Sequence, residues 1–144
     1  MRWKEDLYNT WSFWSFSYIS LRFTKKSASI CDYFIVGIES NANVPTYKSY
    51  KRPILDEESR TQVIRELDIV DAVFINHFPL KTEYYTSIYK ELYIDYVTIG
   101  ENFEFVEVIE EQVSKSGAKL ISLHTKHSIN TTAIINEIIK KYSY

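Results

Sequence analysis

From residue 32 onward, apolar and polar positions follow a repeated strand-then-helix order. Residues 32–40 are almost continuously apolar and end in polar residues, which is typical of a strand buried on both faces of a parallel sheet. Three later short apolar runs have the same character. We therefore predict further strands at residues 72–76, 96–100 and 119–123.

Between these runs, apolar residues recur at the three- to four-residue spacing of a helix. Asp56 is placed to cap the first of these helices, Asn130 or Thr131 the last, and Gly117 suits the left-handed position after the third. We expect the following apolar residues to lie on the packed sides of these helices: Val63, Ile64, Leu67 and Val70; Tyr85, Ile88, Tyr89 and Leu92; Val106, Ile109 and Val113; and Ile134, Ile135, Ile138 and Ile139.

This alternation predicts a Rossmann-like, doubly wound parallel sheet in a three-layer α/β/α arrangement. Ligands in such folds bind beyond the carboxyl ends of the strands. Polar residues follow every predicted strand, so we expect a ligand site at that edge. These residues are Glu39 and Ser40, Asn76 and His77, Glu101 and Asn102, and His124 and Thr125.

The first thirty residues differ in composition from the rest. They contain all three tryptophans, and serines interrupt their aromatic residues, so neither a signal peptide nor a membrane span fits. No glycine or histidine occurs before Gly37, although a first strand and a phosphate-binding turn should fall there. We predict an atypical front segment at residues 1–30, with an atypical first strand and turn, and the α/β domain proper at residues 31–144.

Length and charge restrict the classes of function. A chain of 144 residues fits one domain, and 17 Lys+Arg against 19 Asp+Glu give a net charge of -2, so nothing in the overall charge favours nucleic acid. Cys31 is the only cysteine, which excludes an internal disulfide and suits a reducing compartment. We expect a cytoplasmic protein without a metal site of its own.

Residues 41–53 are polar, contain two prolines as breakers and include several cations, so we predict a basic loop. Lys48, Lys51 and Arg52 lie there within five positions. A solvated charged loop would have the same composition. Contact with a triphosphate is the functional alternative.

Six segments in series resemble one known family. They are Cys31–Ile38, a lysine-bearing loop at 47–54, an acidic helix start with Arg60, residues 70–73, residues 95–103 and Ser128–Thr132. In this order they resemble the cytidylyltransferase-like nucleotidyltransferases, especially the bacterial glycerol-3-phosphate and phosphoethanolamine types.

The resemblance implies transfer of CMP from CTP to a small phosphorylated alcohol such as glycerol-3-phosphate, with Mg²⁺ accompanying the CTP. It also implies a homodimer. Carried over by position, the catalytic residues would be Lys48, Lys51, Thr131 and Thr132, and the nucleotide-binding residues Gly100, Glu101, Asn102, Lys126, His127 and Asn130.

The chain also departs from the family pattern. The defining His-x-Gly-His motif would fall near residues 15–18, where the sequence is Ser-Phe-Ser-Tyr. Gly-Asp-Asp-Trp has become Gly-Glu-Asn-Phe at 100–103, and an expected arginine falls near Thr125, beside Lys126. Losing one preorganised donor to a developing oxyanion costs about 10²–10³ in rate.

Three interpretations follow. The chain is an enzyme with impaired activity, a non-catalytic nucleotide-binding or interaction module of the same fold, or a chain whose first thirty residues are not the natural start. A His-x-Gly-His in a neighbouring reading frame would support the third.

Overall fold

The computed structural model describes residues 6–11, 18–47, 51–101, 103–124 and 131–143, with the backbone alone at 6–11, 18–19, 47 and 131. Strands and helices alternate along these residues, as the sequence predicts. The elements are β1 (Asp6–Trp11), α1 (Tyr18–Ala28), β2 (Tyr33–Glu39), α2 (Val44–Tyr47), α3 (Glu57–Arg65), β3 (Ala72–Asn76), α4 (Thr82–Glu91), β4 (Tyr96–Gly100), α5 (Val106–Ser116), β5 (Lys119–Leu123) and α6 (Thr131–Tyr142).

The strands form one parallel sheet in the order β3-β2-β1-β4-β5. This confirms the predicted Rossmann-like, doubly wound class. The apolar pattern locates the four strands after residue 32, and β1, the atypical first strand expected in the front segment, lies at the centre of the sheet. It pairs with β2 from Asp6↔Tyr33 to Trp11↔Ile38 and with β4 at Leu7↔Tyr96. The composition boundary after residue 30 is therefore not a boundary of the sheet.

Side-chain alternation along β2 divides the core between two layers of helices. Ile35 points to the face covered by α4 and α5, where it packs with Tyr89, Val97 and Val113. Phe34, Val36 and Ile38 of the same strand point to the opposite face and pack with Ile64 of α3. Because both faces are covered, the strand is apolar almost throughout, which accounts for the run seen in the sequence.

Two of the predicted signals at helix ends are confirmed, whereas Asn130, a candidate cap of the last helix, lies outside the described residues. Asp56 caps α3, and its Oδ1 accepts a hydrogen bond from the Ser59 N–H at 2.7 Å. Gly117 ends α5 in the left-handed region at φ 87°, and its N–H donates to the Val113 carbonyl at 3.1 Å. Helix α3 ends at Arg65, so Leu67 and Val70 lie beyond it, although they still pack against the Phe34 core.

The basic loop contains a short helix, α2, that its composition does not predict. The expectation that α6 buries its isoleucines is wrong. Ile134, Ile138 and Ile139 are 38%, 53% and 55% exposed, and only Ile135 is half-buried. Helical spacing predicts which residues share a face, but it does not say whether that face meets a neighbour. No helix among the described residues is long and apolar enough to cross a membrane.

We expect Ile38→Ala to lower the free energy of unfolding by about 2–5 kcal/mol, because Ile38 is fully buried in β2 and its truncation leaves a cavity. Chemical denaturation followed by circular dichroism measures this. Ile54→Ala is the matched control, since Ile54 is 59% exposed, and we expect a change below about 0.5 kcal/mol. Equal losses in the two variants would contradict the assigned core.

Candidate functional site

The strand order places a topological switch point between β1 and β4. From β1 the chain continues through β2 and β3 on one side, and then through β4 and β5 on the other. Helices that leave neighbouring strands in opposite directions open a crevice at such a point, and it is where open α/β sheets bind ligands. Trp11 and Gly100 end the two strands that border it.

Gly100 has no close neighbour among the described residues. A Cβ placed on this glycine would meet none of their atoms within 4 Å, and its backbone does not adopt the left-handed conformation that would require glycine. Within the described part of the chain, neither packing nor backbone strain accounts for a glycine here. A ligand that approaches the backbone at the end of β4 would account for it.

Glu101, His124 and Lys26 meet beside Gly100. Glu101 directly follows β4, and His124 directly follows β5, whose Leu123 pairs with Gly100. The His124 Nδ1 contacts the Glu101 Oε1, and the Lys26 Nζ donates to the His124 carbonyl at 2.6 Å. The side chains of His124 and Glu101 are 52% and 40% exposed, so a ligand at this edge can reach both.

A buried polar network organises the same edge of the sheet at β2 and β3. Glu39, at the end of β2, is 4% exposed and accepts hydrogen bonds from the Tyr85 hydroxyl at 2.5 Å and the Asn43 Nδ2 at 2.9 Å. Asn76, at the end of β3, donates from Nδ2 to both Glu39 carboxylate oxygens at 3.3 Å. Asn43 also donates to the Phe78 carbonyl at 2.8 Å. The network thus joins the loops that follow β2 and β3.

A second set of contacts fixes the start of α3 to the loop after β2. Arg60 is 2% exposed, and its Nη2 donates to the Asn41 Oδ1 at 2.9 Å, while its Nε donates to the Leu55 carbonyl at 3.1 Å. The Glu57 Oε2 accepts from the Asn41 N–H at 2.6 Å. The basic loop between β2 and α3 is therefore held at both ends.

Burial changes the acid-base behaviour of Glu39. Removal from water disfavours the carboxylate and raises the pKa of Glu39 above its ordinary 4.5. The hydrogen bonds from Tyr85, Asn43 and Asn76 and the charge of Arg60 act in the opposite direction, but they do not cancel desolvation. Glu39 lies beneath the surface of this edge and has a supporting role.

The site residues predicted from the sequence occupy different parts of the fold. Gly100 and Glu101 lie at the switch point, Lys51 is exposed in the loop before α3, and Thr131 and Thr132 open α6, with Thr132 exposed. Their assignment to catalysis and nucleotide binding stays a prediction. Lys48, Asn102, Lys126, His127 and Asn130 lie outside the described residues.

The sequence pattern identifies some members of these networks and misses others. Glu39, Asn76 and His124 are found as polar strand ends. Tyr85 is assigned only to an apolar helix face, and Lys26 is separated from His124 by 98 positions. Only the packing of α1 and α4 on the sheet brings these two side chains to their partners.

No protein-family model matches the chain, but individual known proteins do. It is 26% identical over 125 residues to the Bifunctional protein HldE of Citrifermentans bemidjiense, covering 85% of this chain and 24% of that protein. The protein of the same name from Nitrobacter winogradskyi is 28% identical over 108 residues, covering 73% of this chain and 21% of that protein. The chain thus spans about a quarter of the length of the curated relatives it matches.

Solved structures share the fold. A lipopolysaccharide core biosynthesis protein from Thermoplasma volcanium has a TM-score of 0.70 at 20% identity, covering 88% of this chain and 99% of that one. Pantoate-beta-alanine ligase from Francisella tularensis, solved with Beta-gamma ATP and beta-alanine, has a TM-score of 0.61 at 16% identity, covering 95% and 70%. These likenesses support the fold class. The narrower resemblance to glycerol-3-phosphate cytidylyltransferases stays a prediction.

We expect Glu39→Gln to gain stability relative to the original chain as pH rises from about 4 to about 7. The raised pKa of Glu39 means that the folded protein keeps a proton that the unfolded chain loses near 4.5, so the stability of the original chain falls over this interval. Glutamine stays neutral and can still accept from Asn43 and Asn76. Denaturant titrations of both proteins across this range measure the effect, and parallel stability curves would contradict it.

Proposed function

We propose that this chain binds a nucleoside triphosphate at the carboxyl edge of its sheet and belongs to the nucleotidyltransferase class of enzymes. The observation that carries the proposal is the switch point between β1 and β4, where the described residues leave space above Gly100 and Glu101 and His124 border that space. A nucleotide approaching the backbone at the end of β4 would fill that space.

The similarity to known proteins supports the proposal independently. The matched stretch of the HldE proteins covers most of this chain, and a fold neighbour was solved with an ATP-type ligand. Another neighbour is described as a lipopolysaccharide core biosynthesis protein. Glycerol-3-phosphate and sugar phosphates are therefore the acceptors that we propose to test first, with CTP and ATP as donors.

The proposed reaction is direct. An oxygen of the acceptor phosphate attacks the α-phosphorus of CTP, a new phosphoanhydride bond forms, and pyrophosphate leaves. The protein supplies positioning and positive charge for this step, and it needs no covalent intermediate. Lys48, Lys51, Thr131 and Thr132 are proposed to hold the reacting phosphates. Gly100, Glu101, Asn102, Lys126, His127 and Asn130 are proposed to hold the nucleotide.

The described residues contain no group of three His, Cys, Asp or Glu side chains that could hold a metal ion. Hard divalent cations in nucleotide enzymes usually take part of their ligand set from the substrate phosphates. The family resemblance implies Mg²⁺, and we propose that it enters with the triphosphate, where its charge would offset that of the phosphate oxygens. The chain's own contribution is to orient that complex.

The homodimer implied by the family resemblance also stays a proposal. The exposed side of α6 supports association, because Ile138, Ile139 and Tyr142 are each more than half exposed on it.

We expect slow release of pyrophosphate when CTP and a phosphorylated acceptor are supplied together. The rate should be low because residues 12–17, which follow β1, contain no histidine, glycine, lysine or arginine to stabilise developing charge. A coupled pyrophosphate assay measures it. Lys51→Gln should lower the rate about tenfold, the loss of one charged hydrogen bond. The matched control is Lys115→Gln on α5, where the lysine pairs with Glu111.

The sequence of residues 12–17 also favours a second candidate function. With no cation or histidine in residues 12–17, the fold would retain nucleotide binding without transfer. Calorimetry separates the two candidates, since CTP binding without pyrophosphate release from any acceptor supports a binding module. If the chain binds neither CTP nor ATP, both candidate functions are contradicted.

We expect Gly100→Ala to weaken nucleotide binding about tenfold without loss of stability, because the added methyl group enters space that the described residues leave open. Calorimetry and denaturation measure the two effects. Gly117→Ala is the control for which we expect the opposite pattern of effects. It forces a left-handed alanine at φ 87°, so we expect a loss of about 1–2 kcal/mol in stability with unchanged affinity. Unchanged affinity of Gly100→Ala would contradict the assigned site.

A further inference from the structure

Among the described residues, two basic side chains beside the switch point come from α1 and from the end of β5. Phosphate-binding turns of doubly wound folds follow the first strand, and here residues 12–17 contain no cationic side chain. The structure instead brings Lys26 of α1 and His124 after β5 to the end of β4, 98 positions apart in the chain. The sequence pattern of α1 assigns no role to its basic residues, whereas this placement brings Lys26 to the candidate site.

We infer that Lys26 and His124, with Glu101 orienting the imidazole, bind the phosphate chain of the nucleoside triphosphate. This inference rests on the proposed function and names residues for it that the family resemblance does not supply. Lys26, together with His124 in its protonated form, would take over the electrostatic role for which residues 12–17 have no cationic side chain.

The geometry of His124 suits an anion. Its Nδ1 faces the Glu101 carboxylate, which fixes the ring orientation and leaves Nε2 on the opposite side of a half-exposed ring. A carboxylate partner on one ring nitrogen is a common way to prepare the other nitrogen for a ligand. The imidazolium form would donate from Nε2 to a phosphate oxygen.

Lys26 adds a second donor on the same side of the sheet. Its ammonium group has three N–H donors, and the bond to the His124 carbonyl uses one of them. Among the described residues, the charged groups that meet here are Lys26, His124 and Glu101, and they sum to one positive unit when the imidazole is protonated. Since Leu123 pairs with Gly100, the cluster lies next to the open space at the end of β4.

The test measures binding of CTP and of inorganic tripolyphosphate to the full chain by calorimetry. We expect Lys26→Gln and His124→Gln each to weaken both ligands about tenfold, as for loss of a charged hydrogen bond. Tripolyphosphate has neither base nor ribose, so weaker binding of this ligand reports the loss of phosphate contacts alone. Both side chains are exposed, so the variants should fold as the original chain does.

Two matched controls are available. Lys25→Gln removes the adjacent exposed lysine of the same helix turn. His77→Gln removes an exposed histidine that follows β3, the opposite edge strand, separated from β5 by three strands. We expect less than about twofold change in affinity from either control.

Nuclear magnetic resonance gives a second readout. Tripolyphosphate should shift the ring signals of His124 and leave those of His77 in place. If the original chain binds CTP but the Lys26 and His124 variants bind equally well, this inference is wrong and the proposed function stands. If the original chain binds neither CTP, ATP nor tripolyphosphate, both are wrong.

Discussion

Backbone hydrogen bonding of β1 between β2 and β4 sets the arrangement on which every other feature depends. Because the strands are parallel, inserting β1 at the centre brings the ends of β2, β3, β4 and β5 to a single edge. Glu39, Asn76, Gly100 and His124 lie at the same edge of the sheet only for that reason. The switch point between β1 and β4 is likewise a result of the strand order and of no local motif.

The two halves of this edge use charge in different ways. On the β2–β3 side, Glu39 is buried, its carboxylate is surrounded by donors, and the network joins two loops. A buried carboxylate costs free energy unless it is hydrogen-bonded, so these contacts specify one arrangement of the loops more than they add stability. On the β4–β5 side, Lys26, Glu101 and His124 are exposed and available to a ligand. The β2–β3 side fixes the loops, and the β4–β5 side has side chains that a ligand can contact.

Particular residues show how far the sequence predicts this site. Asp56 and Gly117 were assigned correctly because caps depend on a few neighbouring backbone groups. Gly100 and Glu101 could be placed at a strand end because β4 is a clear apolar run. Lys26 could not be connected with His124, since their contact depends on how α1 crosses the sheet. The exposure of α6 could not be predicted either, because spacing defines a face without its partner.

The sequence by itself determined the local elements from residue 32 onward except α2, the alternation that makes the fold doubly wound, and the absence of cationic and histidine side chains in residues 12–17. Each of these follows from neighbouring residues, through side-chain period, capping or composition. The tertiary structure alone decided that the front segment supplies the central strand and that Lys26, Glu101 and His124 meet. Strand pairing and helix packing join residues far apart in the chain, and such contacts leave no periodic signal in the sequence.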